Sequence, residues 1–478
     1  MSGTEHDGLF IGGQWVTGSG EARIEVVNPS TEAYLGSVPS ATRADVDRAV
    51  QSARTAFTDP TGWATWTHAA RAAAMRRLAD VMERRGAEIA ETVSKQNGMP
   101  ISMSSALEAG FPPILLRMYA DTVEALPQVT RRPGMLGGEF EVVRKPMGVV
   151  AAIVPWNFPQ ALAMTKIAPA IAAGNTVVLK PSPETVLDSI ILAECLVEAE
   201  IPAGVVNIVP GGRDIGEHLV AHPGINRVAF TGSTAAGRSI AQVCGQLLRP
   251  VSLELGGKSA AIVLDDGDIA NSIESLFGAT LFNNGQTCYL STRVLAPRSR
   301  YEEVVDTLAG LAQQAVVGDP LDPATMIGPM VSSRQRERVE GYIERGSADG
   351  AKLVVGGTRP DREGWFVSPA VFAGVDNNQE LAREEVFGPV LAVISYDDEE
   401  QAVALANDSD FGLGGTVWSQ DPTRARAFAE RIETGTIGIN RYLPDPAAPF
   451  GGIKASGIGR ELGPEAVEGY FDLQTIYL

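Results

Sequence analysis

Apolar residues recur at three- and four-residue intervals over residues 44–57 and again over 68–96, in stretches rich in Ala, Arg and Glu. That spacing predicts two helices. Gly98-Met99-Pro100 ends the second. Residues 131–138, Arg-Arg-Pro-Gly-Met-Leu-Gly-Gly, predict a turn leading into a short strand over 139–144. From residue 149 the pattern changes. Short β-rich runs at 149–154, 176–180, 205–209 and 227–231 alternate with helical patterns at 159–173, 186–199, 215–221 and 235–245. Strands alternating with helices of this length predict a parallel sheet with crossover helices. A second alternation follows, with a strand over 260–264, a helix over 269–282 and a strand over 292–296. Gly256-Gly257, where the backbone has most freedom, marks the boundary between the two.

Ligands of such sheets sit beyond the carboxyl ends of the strands. Attention therefore falls on Pro155-Trp156-Asn157, Lys180-Pro181-Ser182, Pro210-Gly211-Gly212 and Thr231-Gly232-Ser233. A chain of 478 residues exceeds what one hydrophobic core supports, so two or three domains are expected. The formal net charge of −19 argues against nucleic acid and anionic membrane surfaces as partners. It leaves room for a local phosphate pocket. The three cysteines, Cys195, Cys244 and Cys288, show no disulfide or CxxC framework, which fits a reducing compartment, the cytoplasm. No apolar run is long enough for a secretory leader or a bilayer span. The four histidines lack a metal-like neighbourhood, so no metal is expected.

Three residues stand out as candidate chemistry, each with a blander alternative. Cys288 follows a predicted helix in the polar run Asn283-Asn284-Gly285-Gln286-Thr287. A free cysteine is more often inert core, the reading given to Cys195 and Cys244. Glu254 ends an apolar strand in Leu253-Glu254-Leu255-Gly256-Gly257-Lys258. Buried there, it needs a partner or a raised pKa, and a raised pKa suits a general base. The alternative is a salt bridge at a strand end. Asn157 sits in the Pro-bracketed turn Pro155-Trp156-Asn157-Phe158-Pro159, where its amide can serve an oxyanion or simply the turn. The glycine turns at Gly211-Gly212 and Gly232-Ser233 suit a pyrophosphate at a helix N-terminus, but neither is a full GxGxxG.

Taken in order, Phe230-Thr231-Gly232-Ser233, Leu253-Glu254-Leu255-Gly256-Gly257-Lys258 and Gly285-Gln286-Thr287-Cys288 resemble the aldehyde dehydrogenase superfamily. So do Pro155-Trp156-Asn157-Phe158-Pro159, Glu384-Glu385-Val386-Phe387-Gly388-Pro389, and Pro449-Phe450-Gly451-Gly452 followed by Lys454, Ser456-Gly457 and Gly459-Arg460-Glu461. The resemblance runs over nearly the whole chain. It implies an α/β fold with a Rossmann-like cofactor-binding domain (1–123 and 147–256), a catalytic domain (257–457) and a small β extension for oligomerisation (124–146 and 458–478). A homodimer or homotetramer is implied with it.

The same resemblance implies that Cys288 attacks an aldehyde carbon and that the Asn157 amide and the Cys288 backbone N–H hold the oxyanion. Hydride then leaves to NAD⁺, with NADP⁺ as an alternative, and Glu254 activates the water that hydrolyses the thioester. Covalent addition must come first, because hydride departs only from a tetrahedral centre. Trp156, Lys180, Ser182, Gly211 and Gly216 are implied at the cofactor, with Ser233, Leu255, Glu385 and Phe387. Phe158, Leu162, Thr165, Tyr289, Leu290, Phe450 and the loop 441–448 are implied around the aldehyde. Most of these are apolar, which points to bulky aromatic, aliphatic or terpenoid aldehydes. Arg441 is the one candidate cation for a carboxylate-bearing substrate, although a surface or loop-tethering arginine is the commoner reading. One departure concerns the cofactor: members preferring NAD⁺ commonly carry a glutamate three residues after the lysine, where this chain has Pro183, with Glu184 one step later. Two other readings compete. A CoA-acylating semialdehyde dehydrogenase is disfavoured by Glu254, and a non-catalytic binding protein is disfavoured by Cys288.

Overall fold

The computed structural model describes residues 4–478. Two large sheets organise the described residues, with three smaller ones of two or three strands beside them. The first has eight strands in the order Gly457–Ile458, Val251–Glu254, Arg227–Thr231, Val149–Ile153, Thr176–Lys180, Val206–Ile208, Leu9–Ile11, Gln14–Val16. The five from Val251–Glu254 to Val206–Ile208 run parallel, and antiparallel strands close both edges. Val149–Ile153, Thr176–Lys180 and Arg227–Thr231 bury every residue. Helices cover both faces, and successive side chains of one strand enter different cores. Val150 and Ala152 pack with the helices His68–Arg84, Phe111–Ala125 and Pro159–Ala172. Val149, Ala151 and Ile153 pack instead with Arg43–Thr58 and Arg213–Ala221.

The second sheet has seven strands: Lys352–Val355, Ala370–Ala373, Val390–Tyr396, Arg293–Pro297, Ala260–Val263, Gly415–Trp418 and Gly438–Ile439. All but the first run parallel. Ala260 and Ile262 face one core, Ala261 and Val263 the other. In one small antiparallel sheet Glu139–Pro146 lies between Val129–Pro133 and Phe471–Tyr477. Residues just before that last strand, Leu462, Ala466, Val467 and Tyr470, belong to the first core.

The alternating pattern foretold both large sheets, and three elements differ in detail. The stretch 68–96 is two helices, His68–Arg84 and Gly86–Asn97. The break is at Arg85, whose backbone (φ −92, ψ 9) leaves the helical region while its guanidinium reaches Glu194 at 2.6 Å. The helix expected over 269–282 is shorter, Ile273–Thr280, because Asp268 accepts from Asn271 and Ser272 and holds the preceding residues in a turn. Arg131 to Pro133 are strand, not turn: they pair with Glu139 to Glu141, and the turn occupies only 134–138. As expected, Gly98 stops its helix in the left-handed conformation.

Register brings the site together. Ile153 pairs with Lys180 and with Phe230, and Thr231 pairs with Glu254. The segments bearing Asn157, Lys180, Ser233 and Glu254 therefore leave one edge of the sheet side by side.

Candidate active site

The nucleophile candidate follows a turn built on two asparagines. Asn283 and Asn284 adopt left-handed backbone (φ 48 and 60), which asparagine tolerates better than other side chains. Their amides hold the turn to its surroundings. Asn284 Nδ2 donates to the carbonyls of Gly98 (2.9 Å) and Pro329 (3.1 Å), and its Oδ1 accepts from Gly328 N–H (2.6 Å). Asn283 Nδ2 donates to the carbonyl of Asn157 (3.0 Å). Cys288 follows, half-buried. Gly257 packs on it so closely that a Cβ there would lie 2.3 Å from the Cys288 carbonyl oxygen. Burial raises the thiol pKa, with Glu385 and Glu254 adding to the rise, while the backbone N–H groups of Cys288 and Tyr289 favour the thiolate. Cys195 and Cys244 are buried, with burial pushing Cys195 up to about 12. Their surroundings are those of inert thiols.

Glu254 is buried, and neither of its carboxylate oxygens has a hydrogen-bond partner. Burial pushes its pKa well above the usual carboxylate range; Glu461 adds to this, and Lys166 and Arg460 oppose it. Gly451, at φ 153, makes room for the carboxyl: a Cβ there would sit 2.6 Å from Oε1. A buried ion pair stands behind it. Lys166 Nζ donates to Glu461 Oε1 at 2.7 Å and to Thr231 Oγ1 at 2.6 Å. Asn157 is also buried. Its amide nitrogen donates to the Gln286 carbonyl at 2.9 Å, leaving a second N–H, and its Oδ1 has no partner.

Two cavities meet at Cys288. One, about 100 Å³, is a tunnel lined by Asn157, Phe158, Leu162, Thr165, Glu254, Cys288, Tyr289 and Phe450, together with Leu107, Phe111, Ala161, Thr231, Thr287, Leu443, Pro444, Glu461 and Leu462. No lysine, arginine or histidine lies on its wall. The Thr165 hydroxyl is spent within its own helix, donating to the Leu162 carbonyl at 2.9 Å. Tyr289 stacks edge-on against Phe450, with centroids 6.1 Å apart. Two expectations fail. Leu290 is buried behind the wall with Tyr289 and Leu413, because its neighbour Tyr289 takes the inward position. Arg441 is exposed and off the wall, and only Leu443 and Pro444 of its loop reach the tunnel.

The other cavity, about 490 Å³, is lined by Pro155, Trp156, Asn157, Thr231, Gly232, Ser233, Leu255, Gly256, Cys288, Glu385 and Phe387, and by Arg334, Gln335 and Arg338 of the Ser333–Ala348 helix. Trp156 meets Phe387 edge-on at 5.3 Å. Glu385 Oε1 accepts from Gly257 N–H at 2.9 Å, and burial pushes its carboxyl up to about 7. Ser233 caps the Thr234–Gln246 helix, whose N-terminus points at the cleft. Lys180, Ser182, Gly211 and Gly216 stand beside this wall rather than on it. Lys180, its ammonium pushed down to about 8 by burial, lies against Gly216, where a Cβ would come within 3.4 Å of Cδ. Ser182 donates to Glu184 at 2.6 Å, and Glu184 faces Arg334 at 3.4 Å. The cleft fits a dinucleotide: a helix N-terminus for phosphates and an aromatic pair beside the nucleophile. Among the described residues there is no cluster suited to a metal ion, and no helix is long and apolar enough to cross a membrane.

The motifs missed Leu107, Phe111, Lys166, Arg334, Gln335 and Arg338. All lie on helices or helical turns far from the strand ends, and no local pattern marks them.

Known proteins show the same architecture. Residues 15–476 match the aldehyde dehydrogenase family. The chain is 54% identical over 475 residues to a geranial dehydrogenase of Castellaniella defragrans, covering 99% of both. It is 41% identical to a phenylacetaldehyde dehydrogenase of Pseudomonas fluorescens, covering 98% of this chain and 95% of the other. A Mycobacterium tuberculosis aldehyde dehydrogenase solved with NAD⁺ superposes with a TM-score of 0.97 at 45% identity, over 100% of this chain and 99% of that one. The chain belongs to the aldehyde dehydrogenase family.

Proposed function

We propose that the protein oxidises bulky apolar aldehydes to carboxylic acids with NAD⁺, through a thiohemiacetal and then a thioester on Cys288. The observation that carries this is the tunnel: apolar walls without a cation, ending on Cys288, Glu254 and Asn157. The names of the geranial and phenylacetaldehyde dehydrogenases, and the NAD⁺ in the mycobacterial structure, support the same substrate class and cofactor.

Each residue has a role that its surroundings suit. Cys288 Sγ, its proton released to solvent through the cleft, adds to the aldehyde carbon, and the carbonyl electron pair moves onto the oxygen. The free N–H of Asn157 and the Cys288 backbone N–H receive the oxygen as it gains charge. Glu385 and Phe387, with Trp156, Ser233 and Leu255, would hold NAD⁺ against the cleft wall, with Lys180, Ser182, Gly211 and Gly216 at its far end, and the cofactor would supply the acceptor for the hydride that leaves the thiohemiacetal carbon as the thioester forms. Glu254, whose raised pKa makes it a better proton acceptor near neutral pH, takes a proton from the water that hydrolyses the thioester. Phe158, Leu162, Thr165, Tyr289 and Phe450 hold the aldehyde's carbon skeleton.

Residues 1–123 and 147–256 serve as the cofactor-binding domain, 257–457 as the catalytic domain, and 124–146 with 458–478 as an oligomerisation extension. The exposed Leu473, Ile476 and Tyr477 support burial of that sheet in a homodimer or homotetramer. We assign the protein to the cytoplasm, with no nucleic-acid or membrane partner.

The test follows reduced-cofactor absorbance across an aldehyde panel with and without CoA. CoA-independent turnover of apolar aldehydes is expected. Turnover that requires CoA would replace this reading with the acylating one.

A further inference from the structure

The Pro159–Ala172 helix carries Leu162 and Thr165 into the tunnel and Lys166 behind Glu254, and its first turn directly follows Asn157. It has no cap of its own. Phe158 occupies the position where Ser, Thr, Asp or Asn would accept from the first N–H groups, and no side chain there makes such a bond. The cap comes instead from a distant segment. Glu108 Oε2 accepts from Gln160 N–H at 2.7 Å and, more weakly, from Ala161 N–H at 3.4 Å. Glu108 is fully buried, and its other oxygen has no partner. It lies on a π-helical turn, Ser105–Gly110, and the flanking Leu107 and Phe111 form the facing wall of the tunnel. π-Turns of this kind concentrate at functional sites.

The link extends further. Gln160 Nε2 donates to the Asp188 carbonyl at 2.7 Å, and Gln96 bridges the Asp188 carboxylate (2.6 Å) and Leu187 N–H (2.9 Å). The adjacent Asn97 donates to the carbonyls of Trp156 (3.3 Å) and Asn157 (3.4 Å). One buried network thus fastens both tunnel walls and the Asn157 turn.

We infer that Glu108 is a positioning residue for the acylation step: by capping the Pro159–Ala172 helix from the opposite tunnel wall, it fixes Asn157 and the substrate's carbon chain relative to Cys288. This rests on the function proposed above. A displacement of about 1 Å at a reacting centre is enough to cost about a hundredfold in rate. Burial pushes the Glu108 carboxyl up to about 8, with Asp188 contributing, so glutamine is a faithful stand-in near neutral pH.

The test is a stopped-flow burst of NADH from the full-length enzyme with octanal and with acetaldehyde, comparing wild type, Glu108→Gln and Glu108→Ala. Glutamine should keep the burst rate within about twofold, because it still accepts from Gln160 N–H. Alanine should slow the burst at least about tenfold, and more with octanal, while the later hydrolytic rate changes less. Iodoacetamide labelling of Cys288 in the cofactor-free chain should stay normal, since Asn284 anchors its turn to Gly98, Gly328 and Pro329, none of which hydrogen-bonds to Glu108. If alanine does not fold, Glu108→Asp, one methylene too short to cap, takes its place. An unchanged burst in the capless variant, glutamine as slow as alanine, or Cys288 labelling lost in parallel would each overturn the inference alone. A wild type that forms no NADH from either aldehyde would overturn the proposed function beneath it.

Discussion

The two cavities that meet at Cys288 are built by opposite rules. The cleft takes its wall largely from consecutive residues at strand ends: Pro155 to Asn157, Thr231 to Ser233, Leu255 and Gly256. The tunnel takes its wall mostly from helices and loops away from the strand ends: Leu107, Phe111, Ala161, Leu162 and Thr165 on helical segments, and Thr287 to Tyr289, Leu443, Pro444, Phe450 and Leu462 on loops. A cofactor common to many reactions is met by backbone and short motifs. A substrate is met by side-chain bulk that varies one position at a time. Cleft changes should therefore alter chemistry or cofactor choice, and tunnel changes should alter which aldehyde is used.

The largest effect is expected where the cavities join. Cys288→Ala should cut turnover at least about a thousandfold with little change in melting temperature, because a half-buried thiol contributes little packing. Glu254→Gln should differ in kind: one equivalent of NADH, then a stalled thioester visible as an acyl mass on the intact protein. Steady turnover near the wild-type rate in either variant would break the shared-junction account.

A tunnel change comes next. Thr165→Trp should fill space beside Leu162 and lower kcat/KM for ten-carbon aldehydes about fiftyfold, equivalent to excluding about three CH₂ groups at about 0.8 kcal/mol each. Acetaldehyde and the Kd for NAD⁺, read by fluorescence quenching, should hardly move. A matching loss of NAD⁺ affinity would show that the cavities are not separable.

The pH dependence sharpens the junction further. Glu254 must be ionised to accept a proton, and its pKa lies well above the usual value because of burial and Glu461. Hydrolysis should therefore slow as pH falls through that raised pKa, giving kcat an acid limb displaced toward neutrality. Glu461→Gln removes the like charge, so the limb should move to lower pH. An upward move, or none, would contradict the assignment. Smallest of all is the cofactor effect. Pro183→Glu should raise NAD⁺ preference over NADP⁺ about tenfold, by adding an acceptor for a ribose hydroxyl and a repulsion against a phosphate. A wild type already strongly selective would mean that Glu184, held by Ser182 and Arg334, makes that contact itself.

The same division explains what the sequence could tell. Strand ends were legible because short β-rich runs and glycine or proline punctuation are local signals, which singled out the segments of Asn157, Ser233 and Glu254; Cys288, after a helix, joined them only through the family resemblance. Leu107, Phe111 and Glu108 were not, because nothing in their own neighbourhood says which distant helix they face. Leu290 misled for a related reason: beside Tyr289, only packing against Leu413 decides which of the two turns inward. The helix ends at Arg85 and a new one starts at Gly86, although the apolar spacing runs on through both, so periodicity alone did not mark the break.

The central claim is that an apolar tunnel without a cation selects the aldehyde oxidised at Cys288. The most direct measurement is the ratio of kcat/KM for an apolar eight-to-ten-carbon aldehyde to that for succinic semialdehyde. The apolar substrate should win by at least about a hundredfold, because each buried CH₂ contributes about 0.8 kcal/mol while a carboxylate finds no partner on the wall. A preference for the semialdehyde that Arg441→Ala abolishes would contradict the account and make Arg441 the specificity residue.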